Sequence, residues 1–339
     1  MTLENEISPG VFSKHGDIEE YLQTAYGEEF GRYRRLWKSW ESREDAGGRE
    51  DPAAPVHLLL NLTDACDMKC PTCYRQFRQD KNPKTQLDLP LLRDLLDEAA
   101  AMEILSLSLT GGEPMIHPDI VEILDHAGGK NFLEVLVYTN GSQLDEKRRQ
   151  AILRLAGNTR VRLHISLDAA TEATFRSERG GDLARVLANI DAFLEERERL
   201  PGKDRPLLWV TFLLKDANRE EAGMFLETWK DKADIVQFQR MLKPNAGKVG
   251  DSDPGETIAA DATPMETYCA SPLRTMRVFH NRRIDACCSL YNSHCSCGYF
   301  PDLSLSAAWN SPEFTRLREE MRRGTPSPVC RNCLVWMEG

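Results

Sequence analysis

The stretch "VHLLLNLTDACDMKCPTCYRQF", residues 56–77, joins an apolar run to three closely spaced cysteines. The run VHLLL is short, rich in Leu and followed by polar residues, which is typical of a buried β-strand. Cys66, Cys70 and Cys73 follow it with the spacing C-x3-C-x2-C. We therefore predict a strand followed by a loop that presents three thiols near the carboxyl end of that strand.

The same alternation of strand and helix continues downstream. Five more apolar runs, separated by segments with helical spacing of apolar residues, are ILSLSLTG, FLEVLVYTNG, RVRLHISLD, LLWVTFLLK and DIVQFQRML. Strands that alternate with helices favour parallel strands joined by crossover helices, whose functional groups lie on loops at the carboxyl ends of the strands. We therefore predict an α/β fold over residues 56–245, an open sheet or a partial (β/α)6 barrel similar to a TIM barrel.

The flanking segments differ in composition from this repeating part. Residues 16–41 place Tyr, Leu, Phe and Trp at helical spacing among charges, which predicts an amphipathic helix, or a broken pair, packed on the main domain. A polar stretch with Gly and Pro follows, so residues 1–55 form a helical extension and linker. A second stretch rich in Gly, Pro and Asp, residues 243–264, marks a boundary. Residues 246–339 are therefore expected to form a small domain, which holds the other seven of the ten cysteines.

Bulk composition limits the classes of function. The net charge of −10 argues against unspecific nucleic-acid binding, which needs a surplus of Lys and Arg. The N-terminus lacks the basic and apolar regions of a secretory signal, and no stretch approaches the roughly 20 apolar residues of a membrane span. We expect a cytoplasmic chain without a membrane partner, in which clustered cysteines are reduced and bind metal.

Three thiols on one loop can bind three irons of a cubane iron–sulfur cluster, whose ligands are normally four thiolates. A structural zinc site is the alternative, but it is closed by four ligands and no fourth cysteine lies nearby. An iron that the chain leaves without a ligand could bind a substrate or cofactor. At this point, a non-catalytic iron–sulfur or zinc protein remains the rival interpretation.

The segment CDMKCPTC resembles the cluster loop of the radical S-adenosylmethionine (SAM) superfamily. The segments TGGEP, YTNG and ISLD end the second, third and fourth predicted strands, as the family pattern requires. The resemblance implies SAM and a 4Fe–4S cluster bound by the three cysteines. Tyr74 is the candidate ring for the adenine, because Thr72 stands where the family often has an aromatic residue. The other residues implied to contact SAM are Gly111, Gly112, Glu113, Thr139, Ser166, Asp168, Arg179 and Asn218.

Four later cysteines, Cys269, Cys287, Cys330 and Cys333, have the spacing C-x17-C-x42-C-x2-C. This spacing resembles the SPASM/twitch extension of radical SAM enzymes, which implies that they bind an auxiliary 4Fe–4S cluster. A full SPASM domain adds cysteines after the C-x2-C pair, and the chain ends six residues after Cys333, so we expect one auxiliary cluster.

Three cysteines, Cys288, Cys295 and Cys297, are left without an assigned role. They are interpreted as small buried side chains or alternative ligands. A second hypothesis makes Cys288 a donor of a hydrogen atom to a substrate radical, as in radical epimerases.

The resemblance implies that an electron cleaves SAM and that the resulting 5′-deoxyadenosyl radical abstracts hydrogen from a C–H bond. The substrate radical would then be oxidised, epimerised or cleaved. Oxidation of an alcohol needs a group that takes the hydroxyl proton, for which Arg240, after the sixth strand, or His164 are candidates.

The substrate class is predicted less directly. The N-terminal 55 residues look helical and shorter than the leader-binding domain of many peptide-modifying relatives. We therefore expect a small-molecule substrate: a sugar, aminocyclitol or nucleoside intermediate of natural-product biosynthesis. A peptide substrate is the alternative. The expected electron donor is a flavodoxin- or ferredoxin-type protein.

Overall fold

The computed structural model of the chain describes residues 10–77, 82, 84–240, 268–287, 295–327 and 330. Its strands are β1 (Gly10–Ser13), β2 (His57–Asn61), β3 (Ser106–Thr110), β4 (Glu134–Thr139), β5 (Arg160–Ser166), β6 (Leu207–Leu214), β7 (Ile235–Arg240), β8 (Thr275–Val278), β9 (Arg283–Asp285) and β10 (Ser296–Tyr299). They form one ten-stranded sheet in the order β1-β7-β6-β5-β4-β3-β2-β8-β9-β10. Because β1 and β10 lie at opposite edges, the sheet is open.

Helices connect the parallel strands of this sheet. The helices are α1 (Ile18–Lys38), α2 (Arg43–Ala46), α3 (Tyr74–Phe77), α4 (Leu89–Ala101), α5 (Ile120–Gly128), α6 (Glu146–Ala156), α7 (Glu172–Arg179), α8 (Leu183–Arg197), α9 (Ala222–Trp229), α10 (Ser271–Arg274), α11 (Leu305–Trp309) and α12 (Pro312–Arg323). Strands β2 to β7 run parallel to one another and match the six predicted strands. The predicted α/β class is confirmed. None of the helices in the described ranges is both long and apolar enough to cross a membrane.

The two faces of the parallel sheet differ in chemistry. In β5, Val161, Leu163 and Ile165 are buried in the main hydrophobic core, and the residues between them point to the other face because side chains alternate along a strand. We call this other face the inner face. Its polar and aromatic side chains include Asn61, Ser108, Tyr138, Arg162, His164, Ser166, Trp209, Thr211 and Gln237. The inner face is therefore the side of the sheet suited to a polar ligand.

Helix α1 covers the inner face near the amino ends of the strands. Its residues Leu22, Phe30 and Tyr33 are buried in a small cluster with Val56 and Leu207, which lie at the start of β2 and β6. The amphipathic helix predicted over residues 16–41 thus corresponds to α1, and it packs on the main sheet as expected. Its two parts meet at a kink where Gly27 has a φ of +79°.

A buried chain of polar contacts adds to this attachment. Tyr33 Oη donates to Glu134 at 3.0 Å, and Arg162 Nε donates to the same carboxylate at 2.5 Å. Burial and the neighbouring Glu134 raise the pKa of Tyr33 above its ordinary value. Tyr33 is therefore neutral and donates a hydrogen bond to Glu134. This contact helps to hold α1 over the inner face near the amino ends of the strands.

The C-terminal part continues the same sheet. Strand β8 pairs in parallel with β2, and β9 and β10 add antiparallel strands beyond it. The segment predicted as a linker also contacts this part, because Trp309 Nε1 donates to the Pro52 carbonyl at 2.6 Å and Arg318 Nη1 donates to Asp51 at 3.1 Å. Strand β1, which pairs antiparallel with β7, was not predicted.

Candidate active site

The loop after β3 lies directly against the start of the cysteine loop after β2. The backbone N–H groups of Gly112 and Glu113 donate to the carbonyls of Thr63 and Ala65, each at 2.7 Å. A Cβ on Gly112 would lie 2.0 Å from the Ala65 oxygen, so only glycine allows this approach. Gly111, with a φ of +142°, adopts a backbone conformation that L-residues rarely take. The two predicted glycines therefore position the cysteine loop.

Glu113 connects the loop after β3 with the end of β4. Its Oε1 accepts hydrogen bonds from Thr139 Oγ1 at 2.7 Å and from Met115 N at 3.0 Å, and its Oε2 accepts from Asn140 N at 2.7 Å. Complete burial raises the pKa of Glu113 to about 7, even though these donors favour the charged form. The described partners of Glu113 are thus protein donors, and the side chain holds two of the predicted SAM-binding loops together.

Asp67, which the sequence analysis did not single out, ties the cysteine loop to the loop after β4. Its carboxylate accepts hydrogen bonds from Asn140 Nδ2 at 2.8 Å, Ser142 Oγ at 2.5 Å and Gln143 Nε2 at 2.7 Å. Desolvation alone would raise the pKa of Asp67, but the three donors outweigh it and hold the pKa below its usual range. The only feature of the sequence that could have indicated this role of Asp67 is the presence of an acidic residue between Cys66 and Cys70.

Asp168 and Arg179 secure the other side of the cysteine loop. Arg179 Nη1 donates to Asp168 at 2.9 Å, and the Arg179 carbonyl accepts from Lys69 N at 3.1 Å and from the Cys70 thiol at 3.8 Å. Asp168 has a φ of +60°, a strained conformation that its hydrogen bond from Leu213 N at 2.7 Å helps to hold. The structure thus brings these two predicted residues together beside the thiols.

The remaining predicted SAM contacts have different surroundings. Asn218 Nδ2 donates to the carbonyls of Asp168 and Leu213 at 2.8 and 2.9 Å, and its Oδ1 accepts from Lys215 N at 2.8 Å. The side chain therefore braces the loop after β6. Ser166 is half-buried at the end of β5, opposite Thr211 on β6. The side chain of Tyr74 lies outside the described residues.

The three N-terminal cysteines of the predicted cluster lie on one loop as free thiols. Cys66, Cys70 and Cys73 form no disulfide and are half-buried. Burial raises the pKa of Cys66 to about 11 and raises that of Cys70, but Met68 N donates to Cys66 Sγ at 3.4 Å and the charge of Arg179 favours both thiolates. The N–H donor and the guanidinium can stabilise the negative sulfurs of a bound cluster. The donor set therefore fits an iron–sulfur cluster.

The described residues do not form a compact site for a single ion. No three His, Cys, Asp or Glu side chains within the described ranges converge on one position that could hold a metal ion.

An aromatic stack crosses three strands of the inner face. The ring of His164 on β5 lies between Tyr138 on β4 and Trp209 on β6, with centroid distances of 4.5 and 4.6 Å. His164 is 6% exposed, and its Nε2 has no hydrogen-bond partner in the described part of the chain. Burial lowers the pKa of His164 well below its ordinary value, so the ring is neutral and a poor proton acceptor. The stack therefore holds a buried ring nitrogen that no protein group in the described ranges satisfies.

The C-terminal cysteines converge in part as predicted. The thiols of Cys287 and Cys330 belong to one group, which also contains Cys295. Cys269 N donates to Met321 Sδ at 3.2 Å, and the Cys269 and Cys330 side chains pack against the same small hydrophobic cluster. The predicted ligand Cys333, the predicted hydrogen donor Cys288 and the side chain of Arg240 lie outside the described residues.

Comparisons with known proteins agree with this arrangement. Residues 60–208 match the model of the Radical SAM superfamily, and residues 269–334 match SPASM, an iron–sulfur cluster-binding domain. A GTP 3′,8-cyclase of Marinobacter nauticus is 30% identical over 200 residues, which cover 59% of this chain and 57% of the cyclase. The chain spans about half the length of the curated relatives that it matches.

Two solved structures share the fold. SuiB of Streptococcus suis, bound to the precursor peptide SuiA, has a TM-score of 0.56 at 14% identity, covering 86% of this chain and 70% of SuiB. BtrN in complex with AdoMet and 2-DOIA has a TM-score of 0.51 at 17% identity, covering 84% of this chain and 94% of BtrN. With the cysteine loops, the two domain matches identify residues 60–208 as a domain of the radical SAM superfamily, whose cofactors are S-adenosylmethionine and a 4Fe–4S cluster, and residues 269–334 as an iron–sulfur cluster-binding SPASM domain.

Proposed function

We propose that this radical SAM enzyme abstracts hydrogen from a C–H bond of a sugar, aminocyclitol or nucleoside intermediate, which it then oxidises or epimerises. The chemistry that SAM and a reduced cluster would supply when bound is reductive cleavage of SAM to the 5′-deoxyadenosyl radical. The protein's part is to orient SAM and the substrate and to exclude competing reactions.

The observation that carries the proposal is the joining of four strand-end loops around three thiols. Glu113 holds the loops after β3 and β4 together, while Asp67 and Arg179 fix the cysteine loop from two sides. Rigid positioning of this kind is what a cofactor of defined geometry requires. The residues proposed to hold SAM are Gly111, Gly112, Glu113, Thr139, Ser166, Asp168, Arg179, Asn218 and Tyr74, with Cys66, Cys70 and Cys73 on the cluster.

The inner face supports a small polar substrate. The neutral His164 presents an unused nitrogen, and Gln237 accepts from Trp209 Nε1 at 3.1 Å beside it. Arg162, the nearby cation, is already paired with Glu134. Uncharged hydrogen-bonding groups next to aromatic rings suit hydroxyl and amino groups on a ring. The likeness to GTP 3′,8-cyclase, whose name gives a nucleotide substrate, supports a nucleoside within this class.

A peptide substrate is the second candidate. The observation in its favour is the shared fold with SuiB, which was solved with its precursor peptide. In this case the enzyme would epimerise or cross-link a peptide residue. The two candidates share the SAM chemistry and differ in the substrate alone.

For the fate of the radical, we keep two residue assignments as proposals. Cys288 is the proposed hydrogen donor of an epimerase, and Arg240 is the proposed catalytic group that assists removal of the hydroxyl proton in an oxidase. The low pKa of His164 makes that residue a poor base for the hydroxyl proton. We also propose that the enzyme is cytoplasmic and receives electrons from a flavodoxin- or ferredoxin-type protein, because SAM cleavage consumes one electron.

Anaerobic reconstitution tests the shared chemistry. The reconstituted chain should bind seven to eight irons, as expected for about two four-iron clusters, and release 5′-deoxyadenosine from SAM with dithionite. Replacing Cys66, Cys70 and Cys73 together by Ala should abolish that release and leave the auxiliary irons. A chain that binds zinc and never cleaves SAM would instead support the rival non-catalytic metal protein.

The substrate test uses candidate intermediates and peptides in deuterated water. Solvent deuterium at a stereocentre would show that a thiol quenches the radical, and a carbonyl product without deuterium would show oxidation. Cys288→Ala should abolish epimerisation while SAM cleavage continues. Full epimerisation by this variant would reject Cys288 as the donor, and turnover of peptides alone would reject the small-molecule class.

A further inference from the structure

Cys295 is the cysteine that the predicted ligand set leaves out and the structure places among the auxiliary ligands. Its thiol lies close enough to the thiols of Cys287 and Cys330 to interact with both. It is also the one cysteine that is buried among those in the described ranges, with 3% exposure. A thiol in this position is held by the fold and shielded from solvent.

The antiparallel hairpin explains how Cys295 reaches its neighbours. Ser296 pairs with Asp285, and the ladder continues with a 3.0 Å hydrogen bond from Ala286 N to the Cys295 carbonyl. Residues that follow β9 and precede β10 therefore meet at the same end of the hairpin. Cys287 and Cys295 are thus brought together by strand pairing, independently of any metal.

Cys297, two residues further along, has different neighbours. The pairing register shifts between Ser296 and Gly298, which makes Cys297 the extra residue of a β-bulge. Its thiol is half-buried and contacts the Cys295 carbonyl at 3.7 Å and the Ser311 hydroxyl at the start of α12. Because these contacts are with oxygen atoms rather than with thiols, Cys297 serves as a matched comparison for Cys295.

We propose that Cys295 is a ligand of the auxiliary iron–sulfur cluster, together with Cys287 and Cys330. Each bound thiol loses its proton to solvent and binds one iron as a thiolate, with no change in the oxidation state of sulfur. The auxiliary site therefore has five candidate cysteines for the four corners of a cubane. Cys269, which packs with Cys330 against the same small hydrophobic cluster, is the described cysteine that could fill the fourth corner.

The experiment uses the full chain with Cys66, Cys70 and Cys73 replaced by Ala, so that bound iron reports on the auxiliary site alone. Cys295→Ser and Cys297→Ser are each added to this parent. After anaerobic reconstitution, iron, sulfide and zinc are counted, and the electron paramagnetic resonance spectrum of the reduced cluster is recorded. Circular dichroism of the metal-free proteins checks that both variants fold like the parent.

We expect about four irons per chain in the parent and in Cys297→Ser, with identical spectra. Cys295→Ser should lose at least half of the iron or shift the g values of the spectrum, because a serine oxygen replaces a sulfur ligand. Equal iron counts and identical spectra in both variants would overturn the proposal. A parent that binds no auxiliary cluster would also overturn the proposal. SAM cleavage by the wild-type chain tests the proposed function separately.

Discussion

At the scale of single residues, Gly112 shows how a missing side chain shapes the site. The position that a Cβ on Gly112 would take is occupied by the backbone of the cysteine loop. Unlike a side chain, this backbone cannot rotate away to make room for a methyl group. The tight fit explains why this glycine is needed even where no ligand touches it. From the sequence pattern alone, Gly112 is assigned to cofactor binding. In the structure, it allows the close contact between the loop after β3 and the cysteine loop.

We expect Gly112→Ala to displace the cysteine loop, because the new Cβ would lie 2.0 Å from the Ala65 oxygen. The free energy of unfolding should fall by about 1–3 kcal/mol, the usual cost of overpacking. The variant should also lose N-terminal iron and SAM cleavage. Chemical denaturation, iron analysis and 5′-deoxyadenosine release measure these effects.

Gly223→Ala is the matched control for this change. Gly223 lies in α9, and no atom of the described residues lies within 4 Å of the position that a Cβ would take there. Alanine should therefore be neutral or stabilise the helix by about 0.5–1 kcal/mol. Normal iron content and SAM cleavage in Gly112→Ala would contradict the role assigned to this glycine.

At the scale of elements, Asp234 links four parts of the fold. It lies just before β7 and accepts hydrogen bonds from Arg197 of α8, from Leu208 N of β6 at 2.8 Å and from His15 at 2.9 Å. Lys14, next to β1, forms an ion pair with it at 3.0 Å. The edge strand and the body of the sheet are thus attached through one buried carboxylate.

Asp234→Asn should lower the free energy of unfolding at pH 7 by about 3 kcal/mol, because the buried Arg197 loses its charged partner. Burial alone would raise the pKa of Asp234, but Arg197 and the other donors outweigh it and hold the pKa below 3.8. A carboxyl group whose pKa is lower in the folded than in the unfolded state stabilises the fold at pH values above its unfolded-state pKa. This stabilisation is lost as the pH falls through the folded-state pKa.

The stability gap between wild type and Asp234→Asn should therefore shrink below about pH 4, as measured by urea denaturation across a pH series. Asp191→Asn is the control, because its pair with Lys232 is exposed and should contribute less than about 1 kcal/mol. A gap that is constant from pH 7 to pH 3 would contradict the ion-pair explanation.

The aromatic stack is a second feature at this scale, since it needs three strands in register. His164→Phe retains a ring between Tyr138 and Trp209 but removes the free Nε2. We expect the KM for the substrate to rise by about tenfold or more, as one hydrogen bond is lost. Cleavage of SAM without substrate should be unchanged.

His164→Gln is the complementary variant, because it retains a polar group and removes the ring between Tyr138 and Trp209. Kinetics with the substrate identified by the deuterium experiment measure both effects. An unchanged KM in His164→Phe would show that the ring nitrogen does not bind the substrate.

At the scale of the whole molecule, the domain boundary predicted near residue 245 does not separate the sheet. Strand β8 lies beyond that boundary and pairs with β2, which stands in the middle of the strand order. Removing the C-terminal part therefore exposes an edge of β2 next to the cysteine loop. Exposed edges of this kind promote association with other chains.

We expect a chain truncated after residue 245 to aggregate or to melt well below the full-length protein in its metal-free form. Size-exclusion chromatography and thermal circular dichroism measure this outcome. The full chain expressed in the same host is the control. A truncated chain that is monomeric and equally stable would show that residues 56–245 fold independently.

The sequence predicted the parallel strands well because strands buried between neighbours appear as apolar runs, and the loop motifs follow them directly. It did not predict β1 or the pairing of β8 with β2, since a strand of four residues has little periodicity of its own. The contacts of Asp67 and Cys295 were also missed. Both depend on which residues meet across loops, and spacing along the chain does not encode that proximity.

Helix α1 has a further consequence for how molecules reach the inner face. Because Tyr33, Phe30 and Leu22 are buried against the amino ends of the strands, we expect molecules to reach the inner face from the opposite end, where the cysteine loop lies. We therefore expect SAM and the substrate to enter from the same end and to bind in a fixed order. An excess of the molecule that binds nearer to that end should slow turnover, because it blocks release of the other.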